Sequence, residues 1–479
     1  MKPEERAPAR GPGTASGTDG VRLELKRDLG AGATLAIVVG SVIGSGIFLV
    51  PSAMTSSVGD PGIVFAVWVF AGLLSLAGAL SFAEMAAAMP EAGGGYVYLR
   101  EAYGPLWGFV YSWTMTWVGK SGGAATLATA FFYYLAHFFP GLETALARID
   151  LPIGPGGGPL EITAGQLVAM ALILILAVVN YFGVKLGGLV QVVSTIAKVG
   201  LIGGIVVAAF VWGEGSGAHF RETIPAPGGV AGFFAALVAA LWAYEGWADV
   251  SYVASEVKNP QRSLPRALGA GVLIIITVYL LANLAYFYVL PPGDVASSNR
   301  VAATMMERVA GSTGAGLVSL AAMISIFAAL NGTLLSTARV PYAAACDGLF
   351  FRAARRVHPK HRTPSVAIFT VGVWSALLVL SGRYEQLFTY VIFATWLLYG
   401  MSAAAVIVLR RKRPELPRPF LTPGYPFVPG VFAAVAAGML TATLINSPRE
   451  TLMGLAIIVG GLPFYHHWRR AAPPPAAGA

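Results

Sequence analysis

Cysteine is nearly absent: Cys346 stands alone among 479 residues, so no intrachain disulfide can form and no cysteine-based zinc site exists. Charge is scarce as well. Asp, Glu, Lys and Arg make up 11 % of the chain and apolar residues 56 %, whereas soluble domains carry roughly 25 % charge. That balance excludes a string of soluble domains and indicates a polytopic membrane protein. Six histidines are scattered, and His358, His361, His466 and His467 lie in basic polar segments, so metal catalysis has no support and neither metal nor cofactor is expected. No apolar stretch follows the first charges, which rules against a signal peptide. Residues 1–24, poor in apolar side chains, read as a disordered tail, and residues 469–479 as a second one.

What is present is a series of apolar runs of membrane-spanning length, of which the third and eighth exceed the ~20 residues a straight span needs and should tilt or continue beyond the bilayer. Twelve can be counted: 33–58, 63–89, 105–138, 162–182, 186–212, 228–255, 266–290, 314–345, 364–381, 386–409, 425–445 and 450–465. If the first tail is cytoplasmic, 24 of the 32 Lys and Arg fall on the cytoplasmic side, six fall outside, and Lys120 and Lys198 lie within spans. The positive-inside rule therefore puts both termini in the cytoplasm of a cell-membrane protein. The net charge of +9 then reflects topology and anionic lipid, and no nucleic-acid partner is expected.

Two runs are irregular. Gly40-Ser41-Val42-Ile43-Gly44-Ser45-Gly46-Ile47-Phe48 puts three glycines in the middle of the first, each costing a helix roughly 1 kcal/mol relative to Ala. The glycines could serve close helix packing, but Gly46 falls off the four-residue face shared by Gly40 and Gly44. A helix broken at mid-membrane exposes backbone that is tolerated only in protein or beside a polar cavity. A second half-helix starting near Ser45 would turn free N–H groups toward an anion such as a carboxylate. Five runs later, Leu241-Trp242-Ala243-Tyr244-Glu245-Gly246-Trp247-Ala248-Asp249 places two carboxylates and a glycine inside a span. A carboxylate at that depth costs at least ~2.5 kcal/mol and usually faces an aqueous path. Interrupted helices at matching places in two oppositely oriented five-helix halves, here 25–212 and 228–411, predict an inverted-repeat secondary transporter, with 423–468 as two added helices.

These motifs carry a resemblance. Gly40 to Phe48 with Pro51; Ser81-Phe82-Ala83-Glu84 with Pro90-Glu91-Ala92-Gly93-Gly94-Gly95-Tyr96; Ala243-Tyr244-Glu245-Gly246-Trp247; Glu256-Val257-Lys258-Asn259-Pro260 with Leu264-Pro265-Arg266; and Asn331-Gly332-Thr333 leading to Arg339 together resemble the amino acid-polyamine-organocation superfamily, in particular bacterial relatives of the L-type amino acid transporters. The resemblance spans nearly all of 25–445. It implies an all-α, twelve-helix LeuT-type 5+5 fold with helices 1 and 6 broken. An α-amino acid would lie between Val42, Ile43, Gly44, Ser45 and Gly46 on one side and Trp242, Ala243, Glu245 and Gly246 on the other. Ser45 and Gly46 would meet its carboxylate, carbonyls near Val42, Trp242 and Ala243 its amine, Trp242 would gate, and Phe393 and Trp396 would line the side-chain pocket.

Lys198 lies in a strongly apolar stretch, about thirteen residues past Lys185 and so roughly 20 Å along a helix, too deep for easy snorkelling. The resemblance implies that its cation replaces a sodium ion, touching the first break and a hydroxyl that Thr333 would supply, so that transport is Na⁺-independent. Glu245 departs from the neutral-substrate pattern. It would hold a cationic side chain, carry a proton, or bond to backbone freed by the break. Glu84 reads as a structural partner of a cytoplasmic Arg or Lys, while Lys120 and Asp249 say little by themselves. Animal L-type carriers join a glycoprotein through a cysteine between helices three and four, and Pro140 to Gly158 has none, so no disulfide-linked heavy chain is expected and the chain would be a monomer or weak homo-oligomer.

The function these readings support is amino-acid transport by alternating access, through exchange or proton-linked uptake. A permease for cationic amino acids or polyamines and a non-transporting amino acid sensor are the alternatives. A membrane-embedded enzyme would need a nucleophile and base, and Glu245, Asp249 and Lys198 form no recognisable pair of that kind.

Overall fold

In the computed structural model, the described residues are 25–149, 160–381, 384–446 and 448–471. A helix or a broken pair of helices falls on each of the twelve apolar runs. The first run is α1 (Ala31–Val42) and α2 (Gly46–Val58), and α3 (Pro61–Ala88) follows. Asp60 fixes the start of α3: its carboxylate accepts from the Gly62 and Ile63 N–H groups at 2.6 and 3.3 Å, with Pro61 in the first turn, where its missing N–H costs nothing. A short α4 (Gly95–Tyr103) then precedes α5 (Pro105–Thr114), a π-helical turn over Met115–Gly119, and α6 (Lys120–Leu135).

An antiparallel pair of short strands, β1 (Ala145–Ile149) and β2 (Leu160–Thr163), interrupts the helices, so the described chain is not strictly all-α. All five residues of β1 are exposed, as in a small surface ribbon. Next comes α7 (Ala164–Tyr181), started by a reciprocal capping box between Thr163 and Gln166, then α8 (Val184–Trp212). The second irregular run becomes α9 (Gly229–Ala243) and the single turn α10 (Asp249–Tyr252). It is followed by α11 (Pro260–Val289), α12 (Pro292–Ser297), α13 (Val301–Thr337), α14 (Arg339–Cys346), α15 (Ser365–Leu378), α16 (Tyr384–Lys412), α17 (Phe427–Asn446), α18 (Pro448–Gly460) and α19 (Leu462–Ala471). Within α13 the backbone leaves helical geometry at Ala310 and Gly311, close to where the apolar run begins.

Six of these stretches are long and apolar enough to cross a membrane, among them Ala31–Val58 and Val301–Cys346. Their burial separates their places. In Ala31–Val58 the most apolar window is 83 % buried, in Val184–Trp212 only 28 %, so the broken first run lies at the centre and α8 presents most of its surface outward. An equally apolar sequence can do either, because lipid and protein interior are similar solvents for a side chain.

Three ionic ties clasp the end of the bundle that carries most of the Lys and Arg. Arg339 grips Glu256 with two hydrogen bonds of 2.7 and 3.0 Å, both side chains buried. Glu84 accepts from Arg410 at 2.8 and 2.7 Å and from the Thr422 N–H at 2.7 Å, the structural role expected for it. Arg100 pairs with Asp347, whose other donor is the Tyr96 hydroxyl at 2.6 Å. Burial, then the neighbouring Asp347 carboxylate, pushes that hydroxyl above the usual phenol range. Beside these ties Leu29 pairs its backbone with the segment after α10, donating to Glu256 and accepting from Lys258 at 3.0 and 2.8 Å, which joins the entry of one broken run to the exit of the other.

Candidate functional site

The two breaks face each other. Between α1 and α2 the helix is interrupted at Ile43, Gly44 and Ser45; between α9 and α10 it is interrupted from Tyr244 to Ala248. Gly246 sits at φ +119°, a conformation that a side chain would strain, and a Cβ there would come within 2.9 Å of the Ser41 carbonyl. A Cβ on Gly46 would lie 2.6 Å from Ala243, so this glycine admits the neighbouring helix at least as much as any ligand. A cavity of about 30 Å³ lies between the breaks, with Val42, Gly44, Ser45, Gly46, Trp242, Glu245, Gly246 and Thr333 in its wall. That volume suits a water rather than an amino acid, so the site is contracted in this conformation.

The first turn of α2 has no side-chain cap and no acidic residue. Its leading N–H groups lack acceptors within the helix and carry the positive end of its dipole toward the cavity. Lys198 holds the other side of this break. Its buried ammonium donates to the carbonyls of Gly40 at 2.8 Å, Ser325 at 2.8 Å and Ile43, which uses all three of its protons. The hydroxyl beside it belongs to Ser325, within donating reach of the Ile43 and Gly44 carbonyls at 3.0 and 3.3 Å. Thr333, expected in that role, lies eight residues on, about 12 Å along the same helix, and lines the cavity instead.

Carbonyls expected to face an amine are partly engaged. Tyr279 is within reach of Val42 O at 3.1 Å and Ala243 O at 2.7 Å. One hydroxyl proton serves one acceptor at a time, and each carbonyl keeps a further lone pair. Trp242 O accepts from the Glu245 N–H at 3.1 Å. Trp396 does not line the cavity. It is buried and stacks on Phe432 of α17 with ring centroids 5.3 Å apart. Val391 lines it from the same helix, and five residues turn a helix about 140°, which carries Trp396 to another face. Phe393 belongs to α16, but its side chain lies outside what the structure describes.

Glu245 is not bonded to freed backbone as one reading had it. Its carboxylate accepts from Lys120 Nζ at 2.8 Å and from the Tyr399 hydroxyl at 2.9 Å, and Lys120 also pairs with the fully buried Asp249. Two carboxylates thus share one ammonium, with Glu245 and Lys120 in the cavity wall and Asp249 behind it. Lys120 and Asp249 were uninformative in the sequence because their relation joins segments more than a hundred residues apart. The π turn that ends at Gly119 was the local signal: such bulges gather at functional positions.

Interrupted apolar helices around a small central cavity, with paired charges in its wall, define a helical multi-pass membrane transporter. The chain belongs to the amino acid permease family, whose model matches residues 29–462. It is 31 % identical over 92 % of its length to the b(0,+)-type amino acid transporter 1 of Mus musculus, covering 88 % of that protein. It is 32 % identical over 93 % of its length to the serine/threonine exchanger SteT of Bacillus subtilis, covering 98 %. To the human cystine/glutamate transporter it is 28 % identical over 96 %, covering 88 %. These relatives are transporters and exchangers, not enzymes.

Proposed function

We propose that this protein carries α-amino acids across the cell membrane by alternating access, with the substrate carboxylate on the N–H groups of Ser45 and Gly46 and its amine near the Val42 and Ala243 carbonyls. The observation that carries this reading is the facing pair of helix breaks around one small cavity, a donor end on one side and carbonyls on the other. Lys198 among three carbonyls is a fixed cation where a bound one would otherwise be needed, which supports Na⁺-independent exchange or proton-linked uptake. The printed functions of the relatives, an exchanger among them, agree with it. We further infer the LeuT-type 5+5 repeat, both termini in the cytoplasm, and a monomer or weak homo-oligomer without a disulfide-linked heavy chain.

Counterflow in proteoliposomes tests the reading: labelled amino acid should enter vesicles preloaded with unlabelled substrate, at the same rate in sodium and in choline. No counterflow with any common amino acid, or strict sodium dependence, would overturn it. A second reading concerns substrate charge. With Lys120 shared by two carboxylates, the cluster has a surplus of one negative charge when all three are ionised, and this favours cationic substrates at Glu245.

A further inference from the structure

Two segments, 348–366 and 452–471, hold seven cations and no carboxylate: Arg352, Arg355, Arg356, Lys360, Arg362, Arg469 and Arg470. The fold draws them together. Trp468 of α19 meets Phe351 with ring centroids 5.0 Å apart and Phe350 at 5.8 Å. Since Arg352 follows Phe351 and Arg469 follows Trp468, the ring contact brings the backbones of both arginines to one corner. Phe464 stacks on Trp113 of α5 at 5.0 Å, and the Trp113 indole donates to the Ile457 carbonyl at 3.0 Å, which fastens α18 and α19 to the start of the path leading to Lys120.

The arginines here differ from others at the same end of the bundle. Arg100, Arg339, Arg410 and Arg413 each have a carboxylate partner. Arg352, Arg355, Arg356, Arg469 and Arg470 are exposed and make no ion pair among the described residues. Like charges held side by side without a counter-charge favour an anion. The exposed rings select its kind: Phe351 and Phe464 are 44 % and 42 % exposed, Phe351 directly preceding Arg352 in the chain and Phe464 on the same helix as Arg469 and Arg470. A small soluble anion would leave those rings in water, whereas an amphiphile covers the rings with its glycerol and acyl chains while its phosphate meets the arginines.

We propose that this corner is a binding site for an anionic phospholipid of the membrane leaflet it faces. The leaflet is the cytoplasmic one under the topology proposed above, and the site itself does not depend on substrate identity. The phosphate lies between the α19 arginines and those following Phe351, and the lipid tail runs along the rings toward α5.

The full-length protein in neutral detergent, titrated with phosphatidylglycerol and followed by native mass spectrometry and thermal shift, tests this. Phosphatidylglycerol should give retained adducts and raise the melting temperature, while phosphatidylcholine and inorganic phosphate should not. The triple variant Arg352→Gln, Arg355→Gln, Arg469→Gln should weaken phosphatidylglycerol binding about tenfold, and a control triple, Lys258→Gln, Arg262→Gln, Arg266→Gln, with equal loss of exposed charge on the same face, should change it less than about twofold. The single variant Phe351→Asn, which removes no charge, should also weaken binding. Equal losses in the two triples, equal binding of phosphatidylcholine, or saturation by inorganic phosphate would each overturn the proposal. Transport failure would leave these binding results unaffected, so the two readings fail separately.

Discussion

The two breaks hold their buried lysines in opposite ways. At the first, Lys198 is surrounded by backbone carbonyls alone: its charge meets dipoles, and its three protons meet three acceptors. At the second, Lys120 sits between Glu245 and Asp249, so its charge meets more opposite charge than it can cancel. The first arrangement is closed, with nothing left to offer a ligand. The second keeps an excess that a substrate or proton can answer. A fixed cation that holds backbone in place and a charge cluster that responds to what binds are different devices, built from the same residue type.

Lys198→Ala should have the largest effect. It removes the ammonium that ties the Gly40, Ile43 and Ser325 carbonyls together, at about 1–3 kcal/mol for a buried acceptor left unsatisfied, and lets the first break relax. Proteoliposome uptake should fall to background while the protein still elutes as a single species. Uptake near wild type would remove the distinction between the two sites.

Lys120→Met comes next. It strands two buried carboxylates, and breaking a buried pair from one side costs about 3–5 kcal/mol. The melting temperature should fall, and adding Asp249→Asn should recover most of the loss because one surplus charge goes with it. A double variant no more stable than the single one would mean that Asp249 is not part of the cluster.

Glu245→Gln should leave folding intact and act on selectivity. The Tyr399 and Lys120 bonds can be kept by the amide oxygen, but the excess charge is gone. The ratio of arginine or lysine uptake to serine uptake should drop about tenfold, the scale of one charge-assisted hydrogen bond. An unchanged ratio with a flattened pH profile would assign the excess to a proton instead.

Tyr279→Phe should have the smallest effect. The hydroxyl donates to only one of its two carbonyls at a time, so its net contribution is about 0.5–1.5 kcal/mol. Uptake should be slowed severalfold with substrate preference preserved. A change of preference would show that Tyr279 orients the ligand rather than the breaks.

Much of this was legible in the residues themselves. Three glycines in seven positions cannot sustain a regular helix, and Glu245 with Gly246 inside an apolar run announces a second interruption, because both are local costs paid wherever the chain goes. The depth of Lys198 followed from counting along one helix. What the sequence could not supply was which face meets which. That Ser325 rather than Thr333 stands beside Lys198, that Val391 rather than Trp396 reaches the cavity, and that Tyr279 spans both breaks are matters of helix phase and of contacts across more than a hundred residues. The pairing of Lys120 with Glu245 and Asp249 is of the same kind: each charge was visible, but its cost and its use depend on a neighbour that only the packed bundle brings within 3 Å. Local backbone chemistry fixes where a helix must break; what the break then holds is decided by the side chains that tertiary packing delivers to it.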